Sequence, residues 1–251
     1  MRLRREHTFN LALLLILTTA SWIILIWQTR TASGMAMALP MGASLFLVLW
    51  VIMMVAMMFP SVAPMVLAFI QIQHERSGTG RTFVPTWIFI GAYLLVWTIF
   101  GLLAYAGTLG VTTLVQRLPW LIQNTTRISG GIIVLCGLYQ FTPLKHVCLT
   151  KCRTAQDFIS RSWQEGCRGT LFLGLRHGLY CLGSYWLLFA LLLVLGMMNL
   201  PIMVLLTLLI FAEKLGPPNL HAEQFVALAL VLYGTLVIIV PAALPLSGAA
   251  M

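Results

Sequence analysis

Long apolar segments separated by short polar stretches run through the chain from end to end. A helix that crosses a bilayer needs about 20 mostly apolar residues, and seven segments approach or exceed this length. The pattern predicts an all-α protein, a polytopic transmembrane helical bundle that forms a single membrane domain over residues 1–251. The predicted spans cover about residues 9–28, 42–72, 86–109, 120–142, 170–195, 198–213 and 224–244.

Proline and asparagine residues predict local features of two spans: released carbonyls in the second and the helix start of the sixth. Pro60 and Pro64 lie inside the second, and each lacks the N–H that would bond the carbonyl four residues earlier, at Ala56 and Pro60. Such a carbonyl is tolerated among apolar surroundings only when a neighbouring group satisfies it. Asn199 and Pro201 are typical of a helix start and place the beginning of the sixth span.

The distribution of basic residues predicts the orientation. With the N-terminus inside, eleven Lys and Arg residues fall on the inner side and three on the outer side, which agrees with the positive-inside tendency. The first span is expected to be a retained anchor, because its apolar run of 19 residues exceeds a usual signal-peptide core. The inner residues are Arg2, Arg4, Arg5, Arg76, Arg81, Lys145, Lys151, Arg153, Arg161, Arg168 and Lys214, and the outer ones are Arg30, Arg117 and Arg127.

Composition narrows the class of protein further. Apolar residues make up 60% of the chain and charged residues only 8%, against about 25% charged residues in soluble domains. This excludes a soluble enzyme, a disordered chain and a nucleic-acid-binding domain, so the net charge of +9 reflects cytoplasmic loops. We expect an integral protein of a bacterial inner membrane, with membrane lipid as one of its partners. The five cysteines are odd in number and do not form a disulfide pattern.

The longest predicted loop, residues 143–169, is cytoplasmic in this orientation. Within it, Phe158, Ile159 and Trp163 alternate with polar residues. Two interpretations stay open: a short amphipathic helix on the inner leaflet, or an irregular polar loop.

Methionines form the first candidate site. Met54, Met57 and Met58 are spaced three and four apart in the second span and share a helix face. Thioether sulfur is a soft ligand suited to Cu(I), although methionine also serves as ordinary packing. Outside the membrane, a loop with three further methionines would suit an outer landing site for copper: Met35, Met37 and Met41.

The fifth span carries the second candidate site. Gly174, His177, Gly178 and Cys181 are spaced so that all four lie on one helical stripe. The glycines permit close helix contact, and an intramembrane histidine suggests function. A histidine bonded to a neighbouring carbonyl is the alternative.

The end of the fourth span and the following loop hold a third group. Cys148 and Cys152 form an i, i+4 pair if this stretch is helical, with His146 nearby and Tyr139 just before. In a reducing compartment two such thiols suggest metal binding or no special role.

Glu213 ends the sixth span. Its carboxylate has two candidate roles: to orient His177 through a hydrogen bond, or to pair with Lys214 or Arg176. The chain contains no recognisable hydrolase or nucleotide-binding motif, so we do not expect an enzyme.

Taken together, these stretches resemble the family of predicted metal-binding integral membrane proteins, one of which is a membrane copper chaperone for tyrosinase and multicopper oxidase. The resemblance covers about residues 42–216 and implies copper binding and delivery to a copper enzyme. The matching pieces are Trp50-x-x-Met53-x-x-Ala56-Met57-Met58-x-Pro60, Tyr139-Gln140-x-x-Pro143-Leu144-Lys145-x-x-Cys148-Leu149-x-x-Cys152-Arg153, His177-Gly178-x-x-Cys181-Leu182-Gly183-x-x-Trp186, Gly196-Met197-Met198-Asn199 and Glu213-Lys214.

The chain departs from the family pattern at two positions. Ser184 and Tyr185 stand where the family often has cysteines, which removes two thiols from the expected site. We expect a protein that holds Cu(I) and passes it along soft ligands from the outer methionines, past the second-span methionines, to His177 and Cys181, then Cys148 and Cys152.

Three other functions remain open from the sequence. An accessory or structural subunit of a membrane enzyme complex would use the aromatic and small-residue faces for packing. A small-solute transporter would favour two broken helices in related halves. A membrane oxidoreductase would favour paired histidines on facing helices, whereas only His177 lies inside the spans.

Overall fold

A computed structural model of the chain describes residues 2–32, 42–77, 84–196, 199–216 and 222–240. Every regular element in these ranges is an α-helix, which confirms the predicted all-α class. The helices are α1 (Arg2–Ala32), α2 (Ala43–Ser77), α3 (Thr86–Arg117), α4 (Pro119–Gln123), α5 (Thr125–Gln140), α6 (Pro143–Arg153), α7 (Ala155–Ser162), α8 (Gly166–Leu195), α9 (Leu200–Leu215) and α10 (Ala222–Ile239).

Four of the described helices are long and apolar enough to cross a membrane: 7–30, 43–76, 86–117 and 166–195. A fifth span results if α5 and α6, which meet at a bend of 62°, are counted as one broken span. Helices α9 and α10 match the last two predicted segments in position, with 16 and 18 residues. The start of α9 is as expected, because the Asn199 side chain accepts a hydrogen bond from the Ile202 N–H.

The proline pair in α2 leaves the helix unbroken but requires a donor from another helix. Pro60 provides no N–H for the carbonyl of Ala56, and the indole Nε1 of Trp22 donates to that oxygen at 3.1 Å. Trp22 lies on α1. A side chain from the first helix therefore satisfies a carbonyl that the proline releases in the second, as the sequence requires.

The stretch 143–169 contains α6, α7 and the first residues of α8. The start of α6 carries its own signal, since Pro143 opens the helix and the Thr142 hydroxyl accepts from the Lys145 N–H. In α7, Phe158 and Ile159 are buried whereas their polar neighbours are exposed, which is the amphipathic pattern of the first interpretation. Its location on a membrane leaflet stays a prediction.

Two compact units divide the chain, one made of residues 1–102 and 148–183 and the other of residues 103–147 and 184–251. In the first unit, α2 contacts α3 through a tryptophan seated on a glycine. A Cβ on Gly101 would lie 2.4 Å from the Trp50 ring, and the Trp50 indole N–H donates to the Trp97 carbonyl at 2.9 Å. The glycine is thus required for this contact.

Helices α3 and α8 approach each other closely in the same unit. A Cβ on Gly174 would lie 2.6 Å from the Phe89 carbonyl oxygen, and one on Gly178 would lie 2.9 Å from the Val96 side chain. The predicted small-residue stripe is therefore the surface by which α8 packs against α3.

The second unit uses the same device between α5 and α10. A Cβ on Gly137 would lie 2.9 Å from the Ala227 carbonyl oxygen, and one on Gly234 would lie 2.8 Å from the Gly130 carbonyl oxygen. Backbones in direct contact leave no room for larger side chains on either helix.

A fully buried ion pair also lies in the second unit. Lys145 Nζ donates to both carboxylate oxygens of Glu213 at 2.8 Å, and both side chains are 0% exposed. Lys145 also contacts the amide oxygen of Gln140. The Tyr185 ring lies beneath two ammonium groups, 5.6 Å from Lys145 and 5.4 Å from Lys214, close enough for cation–π attraction.

We expect Gly174→Ala to destabilise the first unit by about 1–3 kcal/mol, because a methyl group would collide with the backbone of α3. The thermal midpoint of the full chain in detergent measures this. Gly91→Ala is the matched control, since it lies on α3 with no atom within 4 Å of the added carbon. Equal midpoints for the two variants would contradict the packing described.

We expect Lys145→Met to lower the free energy of unfolding by about 3–5 kcal/mol, because it leaves a buried carboxylate without its cation. Lys151→Met removes an exposed lysine from the same helix and should change little. Adding Glu213→Leu to Lys145→Met should recover much of the loss. Chemical or thermal unfolding of the four proteins tests this, and a double variant no more stable than Lys145→Met would refute it.

Candidate functional site

The stripe on α8 places its polar side chains in the interior of the first unit. His177 is 2% exposed and Cys181 is 0% exposed. Gly174 and Gly178, which flank them on the stripe, bring the α8 backbone against α3. The close helix contact therefore buries an imidazole and a thiol one turn apart, as the spacing predicts.

Aromatic rings surround the imidazole of His177. Ring centroids lie 6.0 Å away for Phe89, 5.6 Å for Tyr93 and 5.9 Å for Phe158. Phe89 and Tyr93 come from one face of α3, and Phe158 comes from the buried side of α7. The imidazole ring of His177 is thus packed against three aromatic side chains.

The thiol of Cys181 has a polar neighbour on α3. The hydroxyl oxygen of Tyr93 lies 3.2 Å from Cys181 Sγ, and either atom can be the donor. Tyr93 itself is 1% exposed. This tyrosine therefore contacts both candidate ligands on α8, the histidine through its ring and the cysteine through its hydroxyl.

Helix α6 brings two more thiols into the first unit. Cys148 and Cys152 are 7% and 8% exposed and lie one turn apart, as an i, i+4 pair on a helix must. Cys148 Sγ packs against Gly183 of α8, where a Cβ would lie 2.8 Å from the sulfur.

His146 differs from these cysteines because its side chain is exposed. Residues two apart on a helix point to different sides, and the burial pattern of α6 follows this rule. A role for the exposed His146 as a ligand stays a prediction.

The methionines of α2 lie in the interior of the first unit. Met54 is 1% exposed, and Met57 and Met58 are 0% exposed. The Ser61 hydroxyl donates to the Met58 carbonyl at 2.8 Å and lies 3.8 Å from the Met58 sulfur. The thioethers thus face protein. Met35, Met37 and Met41 lie outside the described residues.

Two candidate supporting residues lie in the second unit. Glu213 pairs with Lys145, a partner that its position in the sequence does not indicate, and a hydrogen bond to it from His177 stays a prediction. Tyr139 packs edge-on against Trp186, with ring centroids 5.7 Å apart. Tyr185 is fully buried beside the ion pair.

The sequence interpretation missed the residues that α3 contributes, Phe89 and Tyr93. Their signal was present, because Phe89, Tyr93 and Trp97 follow one another at intervals of four along an apolar segment. Such a stripe of aromatic residues is also ordinary core packing. Only the three-dimensional contact with His177 and Cys181 distinguishes a stripe that lines the candidate site from ordinary core packing.

These side chains suit a soft monovalent ion better than a hard or highly coordinated one. Thiol, imidazole and thioether groups are soft or borderline donors. Within the described ranges, no group of three or more His, Cys, Asp or Glu side chains could hold a metal ion. A metal ion bound at these residues would therefore have few soft ligands, a coordination that Cu(I) tolerates.

Comparison with known proteins agrees with this chemistry. A family model described as PpoB2, copper chaperone, matches residues 47–237, a range that contains helices α3 to α9 in full. No curated protein and no solved structure matches the chain. Since the matched range covers most of the sequence, the chain belongs to the PpoB2 copper chaperone family.

Proposed function

We propose that this protein is an integral membrane protein that binds Cu(I) within its helices and delivers it to a copper-dependent enzyme. Family membership supports a copper-related chaperone role. Four long apolar helices and a chain with only 8% charged residues support the membrane location. The orientation with the N-terminus inside rests on the distribution of basic residues.

The burial of His177 and Cys181 on one stripe of α8 carries this proposal. A histidine inside a membrane is costly and suggests a function, whereas a free cysteine is often buried without one. Both are ligands that copper accepts. Cys148 and Cys152 of α6 add two buried thiols in the same unit, so the ion could exchange between neighbouring sulfurs.

The methionines of α2 would form the route toward these residues. Met54, Met57 and Met58 are neutral, so they can accept a monovalent cation without burying a negative charge. Their complete burial supports a role inside the protein. Transfer between sulfur ligands would keep the ion out of water until it reaches the partner enzyme.

Copper measured per purified chain tests the binding step. The full-length protein in detergent is loaded with Cu(I) without oxygen, washed and analysed for metal. We expect stoichiometric copper in the wild type and a loss of most of it in the double variant His177→Ala with Cys181→Ser.

Cys136→Ser is the matched control for this experiment. Cys136 is also buried, at 1% exposed, but it lies in the second unit and contacts the Leu187 carbonyl at 3.4 Å. The Cys136→Ser variant should therefore retain as much copper as the wild type. Equal copper in all three proteins would contradict the assignment of the ligands.

The delivery step needs a separate measurement. The copper-loaded wild type is mixed with a metal-free copper enzyme from the same cell, and the gain in enzyme activity is compared with that from the double variant. Near-zero copper in the wild type, together with stable co-purification of a membrane complex, would instead support the role of an accessory subunit.

A further inference from the structure

The side chain of Tyr93 contacts both His177 and Cys181. Its ring centroid is 5.6 Å from that of His177, and its hydroxyl oxygen is 3.2 Å from Cys181 Sγ. The side chain is almost completely buried. A buried hydroxyl needs a hydrogen-bond partner, and here that partner is a candidate metal ligand.

Other side chains of the first unit that carry polar or thiol groups are buried as well. Trp97, one turn further along α3, is 0% exposed, and Cys152 of α6 is 8% exposed. The contact between the Tyr93 hydroxyl and the Cys181 sulfur therefore joins α3 to α8 in the interior of this unit. The Tyr93 hydroxyl is well placed to stabilise the Cys181 sulfur through a hydrogen bond, and this bond should change when the sulfur binds an ion.

We propose that Tyr93 is a positioning residue for the metal site, whose hydroxyl donates a hydrogen bond to the Cys181 sulfur when copper is bound. This inference rests on the proposed function. A cysteine that ligates a metal does so as a thiolate, so copper binding displaces the thiol proton to the medium. The resulting sulfur has no hydrogen to donate, and the hydroxyl must then be the donor.

The hydrogen bond would do two things for the site. It would stabilise negative charge on a sulfur buried among apolar side chains, since bonds to charged acceptors are stronger than neutral ones. It would also fix the direction of the Cys181 thiolate toward the bound ion. Partners that hold a metal ligand in this way typically change metal affinity by about 10–100-fold when they are removed.

Tyr93→Phe isolates the hydroxyl, because it keeps the ring that contacts His177. Tyr105→Phe is the matched control, a tyrosine on the same helix that is partly buried. The first readout needs no copper: the infrared S–H stretching band of the metal-free protein, assigned to Cys181 by its loss in Cys181→Ser. We expect Tyr93→Phe to shift this band and Tyr105→Phe to leave it unchanged.

The second readout is Cu(I) affinity, measured by competition with a chromogenic Cu(I) chelator. We expect Tyr93→Phe to bind about tenfold or more weakly than the wild type, with the same stoichiometry. If the wild type binds no copper, the proposed function fails. If wild type and Tyr93→Phe bind copper equally well, only the role of Tyr93 is refuted.

A reciprocal measurement covers the case in which Tyr93→Phe does not fold. The C–O stretching band of isotopically labelled tyrosine is compared between wild type and Cys181→Ala. A shift in this band supports the contact between the two residues, and its absence overturns the proposal.

Discussion

Polar groups buried in this protein must find their partners inside it, and this constraint shapes several of the helix contacts described. With so few charged residues and such long apolar helices, an unpaired carbonyl, hydroxyl or ammonium group would be costly. The Ala56 carbonyl bonds the Trp22 indole, and Lys145 bonds Glu213. The Tyr93 hydroxyl and the Cys181 thiol satisfy one another in the same way.

Glycine determines where the last of these pairs, Tyr93 and Cys181, can meet. Helices α3 and α8 approach closely because Gly174 and Gly178 have no side chains to separate them. His177 and Cys181 lie on the same stripe as those glycines, so the stripe that allows contact also carries the candidate ligands. Helix packing and the candidate ligands are therefore linked on this stripe. A substitution that alters the contact between α3 and α8 also alters the surroundings of His177 and Cys181.

The sequence predicted features that depend on local spacing. The all-α class, the released carbonyl at Ala56 and the shared stripe of Gly174, His177 and Cys181 all follow from helical periodicity and proline chemistry. What it could not predict are partners distant along the chain. Glu213 meets Lys145, 68 residues away, and Cys181 meets Tyr93, 88 residues away. Nothing in either local pattern specifies these pairs, because many helix arrangements satisfy the same periodicity.

The bond from Trp22 to Ala56 also bears on how the chain is made. A ribosome completes α1 before α2, since synthesis runs from the N-terminus. The indole donor of Trp22 is therefore synthesised before Pro60, the residue that provides no N–H for the Ala56 carbonyl. When the second helix emerges from the ribosome, the side chain that bonds this carbonyl is already present.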